Sequence, residues 1–275
     1  MCLFPGLMPE AGLLPLTGGG QSPVPPAARI VRAGAIRLRR FVAAALIPCA
    51  VLIGTAAHAD DIIVYSPQVV QGQSEIEFRG DVLQDSSAAV DGTSNYQLSV
   101  AHAFTGWWRP ELYVAEYRNI PGSGQQSQGY EFENVFQLAP AGKYWADPGL
   151  LVSWHHSPGT QPDSVEFGPL FEHRDRRLVH DLNLIWEKQV GPGADRKYAF
   201  RAAYSLRYQW KSAVQPGFET YLRPANSAYQ VGPVLYGEIA SREGSELEYS
   251  TGAVFGINRD APDATWVLRL EYEFF

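Results

Sequence analysis

The sequence predicts an all-β fold: a transmembrane, antiparallel, up-and-down β-barrel of about twelve strands, with ten as the alternative count. Three observations predict it. Apolar and polar residues alternate with a period of two along most of the chain, which puts them on opposite faces of strands. The longest such run, Tyr198–Lys211, covers the roughly 9–11 residues that a tilted strand needs to cross a bilayer, and it has Tyr198 and Phe200 at one end of its apolar face and Tyr208 and Trp210 at the other. Aromatic ends of this kind form the interfacial girdles of a membrane barrel. Beyond residue 59 no apolar stretch approaches the roughly 20 residues of a spanning helix, and only helices and closed barrels satisfy the backbone in lipid. A soluble barrel or sandwich would alternate in the same way. Strand length, aromatic ends and the terminal strand favour the membrane.

Residues 1–59 read as a leader and residues 60–275 as the barrel. Met1–Ala28 is rich in Pro and Gly and has no period. Then come Arg29, Arg32, Arg37, Arg39 and Arg40, an apolar run from Phe41 to Gly54, and Ala57-His58-Ala59. Basic, apolar and small-x-small segments in that order define a secretory signal peptide, with cleavage expected after Ala59. The length upstream of about residue 29 fits a start codon assigned too early, with translation beginning near Val31. Pro48 directly before Cys49, and apolar residues continuing past it, argue against a lipidation site there.

Both cysteines, Cys2 and Cys49, and both methionines, Met1 and Met8, fall in the leader. The mature chain therefore has no disulfide framework and no soft ligands for copper(I). The chain carries 22 Lys and Arg against 29 Asp and Glu; five of the basic residues and Glu10 lie before residue 60, so 17 and 28 remain. Such an acidic chain has no footprint for nucleic acid.

Along the mature chain the strands follow in order. Ile76, Phe78 and Val82 alternate with Glu75, Glu77, Arg79 and Asp81; Tyr96, Leu98 and Val100 alternate with Gln97 and Ser99. Tyr113 and Tyr117 define one side of a third strand, with Leu112 and Val114 blurring its faces. Tyr130, Phe132, Phe136 and Leu138 oppose Glu131, Glu133 and Gln137. Leu150, Val152 and Trp154 make a fifth strand, and Val165, Phe167 and Phe171 a sixth against Glu166 and Glu172. Leu182, Leu184 and Trp186 oppose Asp181, Asn183 and Glu187. The Tyr198 run is the eighth. Phe218/Leu222, Val231/Leu235/Ile239 and Leu247/Tyr249/Ala253/Phe255/Ile257 follow it, and Trp266, Leu268, Leu270, Tyr272 and Phe274 close the chain. Pro- and Gly-rich breaks separate the runs. With both termini in the periplasm, the breaks at 83–93, 120–129, 157–164, 189–197, 223–228 and 258–264 are extracellular. Those at 104–108, 139–149, 173–177, 211–217 and 241–245 are then periplasmic.

The opposite face supplies the expected lumen lining: Glu75, Glu77, Arg79, Glu131, Glu133, Glu166, Glu187, Arg201, Arg207, Glu238, Glu248, Arg269 and Glu271. Rings of charged side chains select permeating solutes, and an excess of Glu over Arg favours cations and neutral polar solutes. A network of paired charges that fills the barrel is the competing outcome, because buried charges must be paired. His155, His156, His173 and His180 fit no zinc spacing, and no cofactor or metal is expected.

Two resemblances add to this. Trp266, Leu268, Leu270, Tyr272 and Phe274 resemble the terminal strand by which Gram-negative outer-membrane proteins are recognised by the barrel-insertion machinery; the register ends at Phe274, with Phe275 additional. Together with Asp60–Pro67, Gln71–Glu77 and Gly232–Glu238, that strand resembles proteobacterial outer-membrane barrels of transporter or porin-like type, including the group named for a meta-pathway of phenol degradation. The resemblance implies an outer-membrane location in contact with lipid, and a passive channel for small polar or cationic solutes. His155-x-Ser157 is similar to the His-x-Ser-Asn pattern of lipid A deacylases, which implies the alternative of a lipid hydrolase with Glu166 or Glu172 orienting the His. Pro158 stands where that family has Asn. A structural barrel without transport is the third reading.

Overall fold

The computed structural model describes residues 62–242 and 244–275, apart from the side chains of 240–242. The expected leader and its cleavage site lie outside the described residues. A strand forms at every position where the alternation predicts one: β1 (Ser74–Gln84), β2 (Ser94–His102), β3 (Trp108–Ile120), β4 (Gly124–Gln137), β5 (Asp147–His156) and β6 (Asp163–Asp175). β7 (Leu178–Val190), β8 (Tyr198–Tyr208), β9 (Gln215–Arg223), β10 (Ala228–Arg242), β11 (Ser245–Gly256) and β12 (Ala264–Phe274) complete the set. The count is twelve. Each strand pairs antiparallel with its sequence neighbours, and β1 pairs with β12 from Ser74↔Phe274 to Gln84↔Ala264, closing the barrel. Closure leaves no unpaired edge, which is the condition for strands to lie in lipid.

The barrel is inverted relative to a soluble one. Phe78, Leu98, Phe132, Phe167, Leu222, Phe255 and Leu268 are exposed on the outside, while Glu77, Gln97, Glu131, Glu166, Glu219 and Thr265 are buried within. Aromatic residues ring both ends of the apolar belt. Phe104, Trp107, Tyr144, Trp145 and Trp210 lie at the end where β1 begins and β12 finishes, here the terminal rim; Tyr130, Tyr198 and Trp266 lie toward the far rim. An apolar band between two aromatic girdles is what a bilayer solvates, so this is a transmembrane barrel.

Two departures from simple alternation have local causes. Leu98 pairs with Ala115 while Ser99 pairs with Tyr113, so Val114 is an extra residue in β3. A bulge of one residue flips the face of everything beyond it. Tyr113 is therefore fully buried inside, whereas Tyr117 faces outward and stacks on Tyr96 with ring centroids 5.4 Å apart. The expectation that Tyr113 and Tyr117 share a side is thus corrected. β4 also begins earlier than the predicted break at 120–129 allows, because Gln125, Gln126 and Ser127 pair with β3 although they are exposed. That hairpin projects beyond the apolar belt.

Placing a cation on the lipid face should be costly in proportion to depth. Leu268→Arg, at the middle of β12, is expected to destabilise the barrel by about 2–4 kcal/mol, read as a lower urea midpoint for refolding into micelles. Thr251→Ser on the same face should leave the midpoint within about 0.5 kcal/mol.

Candidate functional site: the barrel interior

A barrel of eight strands is just filled by its own side chains, and one of sixteen or more holds an aqueous channel. Twelve strands lie between these, and the chain occupies the surplus with itself. Ile62–Gln73, ahead of β1, runs inside the barrel from the terminal rim toward mid-depth. Gly72 and Gln73 pair with Ala103 at the rim, and the carbonyl of Ile62 accepts from Arg269 Nη2 at 2.8 Å. The segment alternates like a strand: Ile63, Tyr65 and Val69 are buried, while Ile62, Val64, Ser66 and Gln68 are partly exposed.

The wall that receives the buried face is unusual for a lumen. Val135 of β4, Leu151 of β5, Leu170 of β6 and Ile185 of β7 all point inward, and with Ala103 they form one apolar cluster with Ile63, Tyr65 and Val69. Each such side chain stabilises by about 1.5–3 kcal/mol when fully buried. The backbone of the segment has no strand beside it, so polar side chains of the wall satisfy it instead. Asn183 accepts from the Tyr65 N–H at 2.7 Å and donates to the Tyr65 carbonyl at 2.9 Å. Gln137 accepts from the Val69 N–H at 2.8 Å. Ser66 donates to Glu172, and Gln68 donates to Asp147 and Glu172. Pro67 has no N–H to satisfy, and it sits over Gly149, where an added Cβ would come within 2.5 Å of the Pro67 Cβ. The Arg79 guanidinium lies between the Tyr65 and Tyr113 rings, 5.5 and 5.1 Å from their centroids.

Between the open face of this segment and the opposite wall lies a cavity of about 310 Å³. It reaches from Gln73 and Glu273 at the terminal rim to Arg79 and Arg269 at mid-depth. Nine carboxylates line it against five arginines. Ion pairs account for part of the charge: Arg109–Glu75 at 2.9 Å, Arg79–Glu77 at 2.6 Å, Arg174–Glu172 at 2.5 Å and Arg269–Glu219 at 2.7 Å. Arg207 lies over the Tyr236 ring. Carboxylate oxygens of Glu75, Glu271 and Glu273 lie within 4.8 Å of one another, as do those of Glu238, Glu246 and Glu248. Among the described residues, these two acidic groups are close enough to attract a cation.

Beyond Arg79 and Arg269 the interior is packed. Glu219 and Tyr221 close around Arg269, which donates to both Glu219 oxygens and to the Tyr221 hydroxyl. Farther along, Arg201 pairs with Glu166 at 2.5 Å, Asn95 donates to Asp81, and Gln230 donates to Thr265.

The residues expected to line the lumen divide by burial. Glu75, Glu77, Glu131, Glu133, Glu166 and Arg201 are buried; Arg79, Glu187, Arg207, Glu238, Glu248, Arg269 and Glu271 are partly so. The vestibule brings together Glu75, Glu77, Arg79, Arg207, Glu248, Arg269 and Glu271, while Glu131, Glu133, Glu166, Glu187, Arg201 and Glu238 do not line it. Sequence reasoning missed Glu111 and Glu219 and the internal course of Ile62–Gln73, and it set Glu172, Asp181 and Asn183 on polar strand faces without assigning them to the lumen lining.

The candidate hydrolase residues come only partly together. Ser157 Oγ is 3.5 Å from His155 Nδ1, at the long limit of a hydrogen bond. The residue that holds the His is Glu116, 3.0 Å from His155 Nε2. Glu166 is engaged by Arg201, and Glu172 by Ser66, Gln68 and Arg174, so neither takes the orienting role expected of it. The β3 bulge brings Glu116 inward, opposite Gly129, whose φ of +123° and closeness to the His156 carbonyl only glycine tolerates. His155 and Ser157 are buried in the lumen, on the face away from the lipid-exposed Trp154. The four histidines do not converge. His156 pairs with Asp163 near the far rim, whereas His173 and His180 lie side by side toward the terminal rim, with rings 5.9 Å apart.

No protein-family model matches the chain, and no curated protein matches it. Solved structures do. An outer-membrane channel from Pseudomonas putida F1 superposes with a TM-score of 0.55 at 11% identity, over 78% of this chain and 99% of that one. The NanC porin gives 0.48 at 12% identity, over 73% and 99%. At such identities the first of these supports the closed-barrel fold.

Asn183→Leu removes both bonds to the Tyr65 peptide and leaves its N–H and carbonyl without that partner. The barrel is expected to lose about 1–3 kcal/mol, read as a lower urea midpoint with the β-sheet circular dichroism of the folded state unchanged.

Proposed function

We propose that this protein is a passive channel of narrow bore in the bacterial outer membrane, carrying small polar or cationic solutes. The reading rests most on the vestibule, a cavity of about 310 Å³ inside a transmembrane barrel with carboxylates in excess of arginines along its walls. In a site shielded by a low-dielectric wall, a surplus of one charge sign concentrates counter-ions. The packed layer at Arg79, Arg269, Glu219 and Tyr221 makes the bore narrow, because solutes have to slip between these side chains. The apolar belt and aromatic girdles supply lipid as the surrounding partner. In this reading the leader is cleaved after Ala59, the terminal rim faces the periplasm, and the Phe274 register presents the chain to the insertion machinery. The vestibule then opens toward the periplasm.

The purified protein in a planar bilayer should carry small, cation-preferring unit currents. Glu271→Gln combined with Glu248→Gln should lower the cation-to-anion permeability ratio by roughly twofold, since rings of charge set that ratio. A folded, heat-modifiable barrel that stays electrically silent contradicts the proposal.

A further inference from the structure

The channel reading leaves open what Ile62–Val70 does once the barrel is folded: a segment entering a lumen from one rim can be a plug that leaves or a wall that stays. We propose that it is a permanent wall of the conduction path, and that the face it turns to the vestibule, chiefly Val64, Ser66 and Gln68, sets the size of solute that passes. The size-setting half rests on the channel reading; the wall itself does not.

Three observations carry the inference. The first is the apolar stripe of Val135, Leu151, Leu170 and Ile185 on four consecutive strands, which would be wetted if the segment left. A lumen built to be open has no use for such a stripe, and water opposes its exposure. The second is the two-point grip of Asn183 on the Tyr65 peptide, which copies the pairing a neighbouring strand would give. Departure would strand the amide of Asn183, which is fully buried. The third is Gly149, an inward position whose missing side chain is the space that Pro67 occupies. Polar match, shape match and most of the apolar match lie on one face of the segment; on the other face Ile62 and Val64 pack against Ala203, Tyr221 and Val254. That other face also borders the cavity, with Val64, Ser66 and Gln68 among the residues lining it. Solutes therefore pass between this face and the wall carrying Glu75, Glu271 and Arg269.

Single cysteines separate wall from plug, in a background of Cys2→Ser and Cys49→Ser. In the folded protein in micelles, Ser66→Cys and Gln68→Cys should react readily with a water-soluble methanethiosulfonate. Ile63→Cys and Val69→Cys should react at least about tenfold more slowly, as buried sites wait on local opening. Adding Gly149→Val should abolish the difference by driving Pro67 off its seat. In bilayers, modifying Ser66→Cys with reagents of increasing size should reduce the unit current stepwise, and Gly149→Val should raise it. Equal reactivity at positions 63 and 66 in the otherwise unaltered barrel overturns the wall, whether or not current flows. The expected labelling in a barrel that carries no current overturns the conduction reading and the size-setting role with it, while the wall stands. Unchanged current after a bulky modification at Ser66→Cys overturns size setting alone.

Discussion

Twelve strands enclose more space than their own inward side chains fill and less than a barrel of sixteen or more strands. The rest of the structure follows from that mismatch. The surplus on the β4–β7 side is taken by nine or so residues of chain laid against an apolar stripe, and their backbone is satisfied by Asn183 and Gln137 in place of a neighbouring strand. What remains is a one-sided vestibule bordered by the segment on one side and by charged residues on the other. The width of the barrel, the apolar stripe and the placement of the cavity are thus three consequences of one geometric constraint.

Charge follows the same division. Where the interior is packed, acids and bases meet in pairs, Arg201 with Glu166 and His155 with Glu116, and Arg269 with Glu219 does the same at the inner end of the cavity. Breaking one such pair leaves a buried charge uncompensated, which is far more costly than never having built it. Where the cavity lets water in, carboxylates such as Glu75, Glu271 and Glu273 stand close together with fewer arginines beside them. Ion pairs occur in both parts of the barrel, and the acidic surplus marks the vestibule.

Architecture was legible in the sequence because a strand in lipid must alternate, and alternation survives without any tertiary knowledge. It identified all twelve strands. It failed at the β3 bulge, since an unpaired Val114 shifts parity without a composition signal strong enough to announce it. It also failed for the internal segment, although a signal was present. In Leu150-Leu151-Val152, Pro169-Leu170-Phe171, Leu184-Ile185-Trp186 and Asn134-Val135-Phe136 the inward position is apolar on four successive strands. Four breaks in a row, next to an Ile63-x-Tyr65-x-x-x-Val69 pattern ahead of β1, meant that something apolar had to cover the wall. Partner choice stayed hidden because the sequence does not announce the bulge that turns Glu116 inward beside His155, nor that Arg201 engages Glu166.

Amide exchange at Tyr65 and Val69 tests most directly the claim that the barrel interior is completed by its own chain. Both N–H groups donate to wall side chains, Asn183 and Gln137, across more than sixty residues of sequence. In micelle-solubilised protein, these amides should exchange with deuterium as slowly as ladder amides of β5 and β6, many orders of magnitude below an unstructured peptide. Exchange at the rate of an unstructured chain, with the β5 and β6 amides still protected, would show that the segment lies outside the barrel and that the lumen is completed by something else.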